Sequence, residues 1–90
     1  MSYFVILEER AKKDIIEHEK NGNKTIVRKI ESFLFELEEH PETGTGKPER
    51  LKHDKSGLWS RRISSEHRLI YAIEKSIVKV VVISAKGHYE

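Results

Sequence analysis

Glu49, Lys52, Arg62, Arg68, His88 and Tyr89 are the side chains of this sequence whose types could carry out a reaction. Together they fit the metal-free cleavage of an RNA strand. Such a site needs a base to take the proton of a ribose 2′-OH and an acid to protonate the departing 5′-oxygen. It also needs cations to stabilise the charge that builds on the phosphorane. Glu and His suit the first two tasks, since they ordinarily titrate near about 4.3 and 6.5. Arg suits the third, because its planar fork matches phosphate oxygens. Each residue also has an ordinary reading. Glu49 beside Arg50 and Lys52 could be a surface ion pair. Arg62 could be a solvated strand charge. His88 and Tyr89 lie beside the C-terminal residue, where fraying is the default.

The charge distribution favours a phosphate-bearing partner. From Lys47 to Arg68 there are seven Lys or Arg against three acids, a local +4, while the whole chain carries +2. The first forty residues carry seven cations and nine acids, a local −2. Positive charge gathered in one segment is the electrostatic footprint of a nucleic-acid surface. Other chemistries lack their motifs. No histidine pair has HxH or HExxH spacing, so no metal site and no cofactor is expected. The stretch Glu42 to Lys47 holds two glycines but lacks P-loop spacing. No nucleophile-elbow motif is present. With no cysteine, there is neither a disulfide framework nor thiolate chemistry. His53 and His67 sit in or beside loops and are read as structural, and His18 as a surface helix residue.

These residues need a scaffold, and 90 residues make one domain with a modest core. At 37% hydrophobic and 36% charged, the chain is a globular sequence rather than a disordered one. No apolar run reaches the length of a membrane span, and the N-terminus lacks a signal-peptide pattern. The expected location is the cytoplasm.

Tyr3 to Leu7 is a short aromatic and branched run, which predicts a strand covered on both faces. Ala11, Ile15 and Ile16 recur at near-helical spacing over residues 8–20, and Asn21-Gly22-Asn23 makes a turn. Residues 24–39 predict a second helix, with Ile26, Val27, Ile30, Phe33, Leu34 and Leu37 on one stripe. Asn23 is its expected N-cap and Pro41 marks its end. Leu58 to Ser64 and Arg68 to Glu74 read as an antiparallel hairpin closed by residues 65–67. Ile77 to Ser84 reads as a further strand after a turn at Lys75-Ser76. The fold class is α+β: a strand, a two-helix hairpin, then an antiparallel sheet with the helices on one face.

Strand parity then sorts the side chains. With a three-residue loop, Ser64 lies opposite Arg68 and Arg62 opposite Ile70. Arg62, Ser64 and Arg68 share one face, and Trp59, Ile63, Leu69, Tyr71 and Ile73 share the other. The apolar set suits the helical stripe, and the two guanidiniums face away from the helices.

The stretch GKPERLKHDKSGLWSRRISSEHRLIYAI, with the terminal HY, resembles the signature of the Txe/YoeB family, a branch of the RelE-like toxins of bacterial toxin–antitoxin systems. The matching elements are GKPE followed by LKH, then WSRRI, then EHRLIYA. The resemblance implies residues 1–90 as a single RelE-like toxin domain of the microbial RNase-like kind. It also implies cleavage of mRNA in the ribosomal A site, which inhibits translation, and no metal. Carried over by position, Glu49 is the general base, His88 the general acid, and Arg68 the arginine at the scissile phosphate. Lys52 and Arg62 are cations along the RNA backbone, and Tyr89 helps to shape the site. The implied products are a 2′,3′-cyclic phosphate, or a 3′-phosphate after its hydrolysis, and a 5′-hydroxyl. The implied partners are the ribosome with its mRNA and a YefM/Axe-type antitoxin. Operator DNA for the toxin–antitoxin complex and a second copy of the toxin are further expected partners. Two features depart from the family pattern: a longer segment between Tyr71 and His88, and Glu90 after Tyr89. The alternative from another class is a non-catalytic module that grips RNA or the ribosome and acts by occlusion.

Overall fold

The computed structural model describes residues 2–52 and 57–87. Five strands form one sheet in the order β1-β5-β4-β3-β2: β1 (Phe4–Leu7), β2 (Glu49–Arg50), β3 (Leu58–Arg62), β4 (Arg68–Glu74) and β5 (Lys79–Ser84). The helices α1 (Glu9–Lys20) and α2 (Lys24–Leu37) lie between β1 and β2 in the chain. The α+β reading holds, with one addition. The sheet is mixed, because β1 runs parallel to β5 while the other pairs are antiparallel. The two helices carry the chain from β1 at one edge of the sheet to β2 at the other, and the meander β2 to β5 returns it beside β1. Among the described residues no helix is long and apolar enough to cross a membrane.

Alternation along the strands builds the core on one face. Val5, Leu7, Trp59, Leu69, Tyr71, Val80 and Val82 point to the helices and meet Ala11, Ile30, Phe33 and Leu37. The stripe of α2 is as its spacing predicts. Asn23 takes the N-cap position, but its side chain makes no capping bond. In α1 the buried residues are Ala11, Asp14 and His18, at i, i+3 and i+7, while Ile16 is half exposed. His18 is therefore not a surface residue: it is 1% exposed. Nor is β1 covered on both sides, since Phe4 and Ile6 on its outer face are open.

The β3–β4 register differs from expectation by two residues. Arg62 faces Arg68, and Ser60 faces Ile70. Ser64 leaves the ladder because its hydroxyl accepts the N–H groups of Glu66 and His67, a local turn that competes with strand pairing. A two-residue shift preserves parity, so Arg62 and Arg68 still share the face away from the helices. The expected start of the last strand is a 3-10 turn at Lys75–Ile77, and β5 begins at Lys79.

Candidate active site

The sheet face opposite the helices carries the candidate site. Glu49 on β2 pairs with Ser60 on β3, and Ser60 with Ile70 on β4. One step along, Arg62 stands opposite Arg68. Cross-strand neighbours on one face come within side-chain reach. Arg68 Nη1 lies 3.5 Å from Glu49 Oε1 and donates to Ser60 Oγ at 3.2 Å. The Glu49 side chain is 62% exposed and that of Arg68 21%, so the carboxylate is open to a substrate while the guanidinium is held from behind. Arg62 is exposed on the same face, and Lys52 is exposed just beyond β2. Neither forms a salt bridge with a described residue. His88 and Tyr89 lie outside the described residues, as does His53. Among the described residues no cluster of His, Asp or Glu has the make-up of a metal site.

Behind the site, Arg61 is fully buried on the helix-facing side, and its five N–H donors are all engaged. Nη1 donates to Glu36 Oε1 at 2.5 Å and to the Thr45 carbonyl at 3.2 Å. Nη2 donates to the carbonyls of His40 at 2.5 Å and Thr43 at 2.8 Å. Nε donates to the Tyr71 hydroxyl at 3.2 Å, which in turn donates to the Pro41 carbonyl at 2.9 Å. Burial pushes the Tyr71 phenol up, against the opposing effect of Arg61, so it stays a proton donor. The glycine-bearing loop is thus a carbonyl cradle for a buried arginine. Gly46, at φ +79, lets the backbone pass where a Cβ would stand 2.5 Å from the Phe33 ring. The Gly46 carbonyl then accepts from Arg62 N–H at 2.7 Å. That contact fixes the approach of the chain to Glu49. Sequence reading counted Arg61 only as a cation, although parity placed it between Trp59 and Ile63 on the core face. Ser60 was also missed, and it shares parity with Arg62.

Burial alone would raise the Glu36 carboxyl. The Thr45 hydroxyl and N–H, with the Arg61 guanidinium, outweigh that and hold it below the usual carboxylate range. A depressed folded-state value contributes stability above the unfolded value near about 4.3. That contribution is lost as pH falls through the folded value. The urea midpoint of the native chain is therefore expected to drop below about pH 4.3 more steeply than that of Glu36→Gln. Parallel pH profiles would deny Glu36 this role.

The site face is thus one side of a mixed sheet, with two helices behind it and a Glu–Arg pair upon it. The solved YoeB/ParE toxin from Agrobacterium tumefaciens has a TM-score of 0.85 at 32% identity, covering 96% of this chain and 99% of that one. The YoeB dimer from Staphylococcus aureus gives 0.83 at 32%, covering 99% and 100%. A YoeB-YefM complex from the same organism gives 0.78 at 33%, with the same coverage. Toxin YoeB of Escherichia coli (strain K12) is 43% identical over 67 residues, 74% of this chain and 77% of that protein. Residues 7–89 match the model of the YoeB-like toxin of bacterial type II toxin-antitoxin systems. The chain belongs to that YoeB-like toxin family.

Proposed function

We propose that this toxin is a metal-independent endoribonuclease that cuts mRNA in the ribosomal A site and so stops translation. The observation that carries the reading is the Glu49–Arg68 pair, 3.5 Å apart on an accessible cationic face. Glu49 takes the 2′-OH proton, and the 2′-oxygen attacks the adjacent phosphorus. Arg68, steadied by Ser60, offers its fork to the non-bridging oxygens as charge builds there. His88 protonates the departing 5′-oxygen. Lys52 and Arg62 hold the backbone on either side by charge, and Tyr89 helps to shape the site. The 90 residues act as one domain in the cytoplasm. A YefM-type antitoxin, as in the Staphylococcus aureus complex, is the expected partner in neutralisation. The pair is expected to bind operator DNA, and the toxin to form a homodimer as that organism's YoeB does.

The chemistry of the cut ends tests this mechanism. Attack by the 2′-oxygen leaves an upstream 2′,3′-cyclic phosphate, or its 3′-phosphate, and a downstream 5′-OH that a kinase labels without prior phosphatase. A 3′-OH with a 5′-phosphate would exclude 2′-OH attack. Blocked translation with intact mRNA would favour occlusion.

A further inference from the structure

Residues Ala85 to Gly87 leave β5 and run directly into His88. Two of them, Ala85 and Gly87, are gripped at their backbone groups by side chains from α1 and from the β3–β4 loop. The Ala85 N–H donates to Asp14 Oδ2 at 3.0 Å, and the Ala85 carbonyl lies 2.9 Å from His18 Nε2. A carbonyl only accepts, so His18 carries its proton on Nε2. The Gly87 N–H donates to His67 Nδ1 at 2.9 Å, so that nitrogen carries a lone pair. The Gly87 carbonyl accepts from the backbone N–H of Arg68 at 3.0 Å. The two imidazoles meet edge to face, with centroids 4.7 Å apart. Lys86, between the gripped residues, pairs with Glu17 at the surface.

A fold does not need this arrangement merely to end a strand. Asp14 is 6% exposed and His18 1%, and burying polar side chains is costly unless each is matched to a partner. Asp14 also meets Arg10 Nε at 3.5 Å, but both side chains spend a hydrogen bond on the backbone of the segment that ends one residue before His88. The same segment is tied to Arg68, whose side chain meets Glu49 on the site face.

We propose that Asp14, His18 and His67 are positioning residues, a clamp that sets the chain leading into His88 relative to Arg68 and Glu49. This rests on the ribonuclease reading above. The clamp acts on the chemical step rather than on RNA affinity, because it holds the acid's tether and leaves Lys52 and Arg62 untouched. Misplacing a reacting group by about 1 Å can cost roughly 100-fold in rate.

The test compares His67→Phe with His67→Asn, and His18→Leu with His18→Gln. Asn places a side-chain acceptor near Nδ1, and Gln a donor near Nε2, so each restores one clamp contact. Single-turnover cleavage on programmed ribosomes is followed against ribosome concentration, with thermal melts to confirm folding at the assay temperature. Hydrogen exchange at the Ala85 and Gly87 amides reports the clamp itself. His67→Phe and His18→Leu are expected to lose at least about tenfold in maximal rate with little change in half-saturation, and Asn and Gln to recover most of it. Gly87 exchange should quicken in His67→Phe and slow again in His67→Asn. Folded His67→Phe and His18→Leu that cut at the native rate would overturn the clamp. So would Gly87 exchange indifferent to His67. A native chain that makes no cut would instead refute the ribonuclease reading, and with it the catalytic half of this inference. The amide exchange would still judge the contact.

Discussion

Arg61→Ala is expected to cost about 3–5 kcal/mol of folding stability, the scale seen when one partner of a buried ion pair is removed. Five acceptors depend on that guanidinium: Glu36, Tyr71 and the carbonyls of His40, Thr43 and Thr45. Without it the Glu36 carboxylate loses its counter-charge, and the three carbonyls at residues 40–45 lose their common donor. Small domains are stable by only about 5–15 kcal/mol in all, so the variant should sit close to unfolding. Arg61→Lys should recover only part of the loss, because an ammonium has three donors and no planar fork. Urea denaturation of the isolated chain measures both, read at constant slope. A loss below about 1 kcal/mol for Arg61→Ala would mean that the cradle is not formed in solution.

Glu49→Ala is expected to lower the cleavage rate by about 10²–10⁴-fold, the usual contribution of a positioned general base. Its folding should hardly change. Glu49 is exposed, and an exposed ion pair contributes about 1 kcal/mol at most. Glu49→Gln separates charge from shape, since the amide keeps the size but cannot take a proton. It should be nearly as inactive as the alanine variant. Stopped-flow or quench measurement of single-turnover cleavage, beside a denaturation curve, checks both halves. A Gln variant that cuts at the native rate would remove Glu49 from proton transfer.

The contrast between these two residues marks what the sequence made legible. The order of strand, helical pair and strands follows from periodicity, and Ile30, Phe33 and Leu37 are buried as their spacing predicts. Parity put Arg62 and Arg68 on one face despite the two-residue register error, because only odd shifts exchange faces. The parallel β1–β5 pairing joins the first strand to the last, a long-range contact that no local pattern encodes. Arg61 and His18 are buried against their polar type, because position, between Trp59 and Ile63 or at i+7 from Ala11, points them inward. Their partners are chiefly backbone carbonyls, which leave no mark in composition. Of the candidate site, Glu49 and Arg68 meet in the structure. Arg62 shares their face, and Lys52 lies just beyond β2.

The central claim is that this chain cuts RNA, rather than only binding it, and that Glu49 does so as the base. The most direct measurement is primer extension on mRNA from a purified translation system supplied with the native toxin, Glu49→Ala or His88→Ala. The prediction is cuts at A-site codons with the native protein and none with either variant. Inhibition without cuts, equal in all three proteins, would contradict the account and show a basic face that binds and blocks.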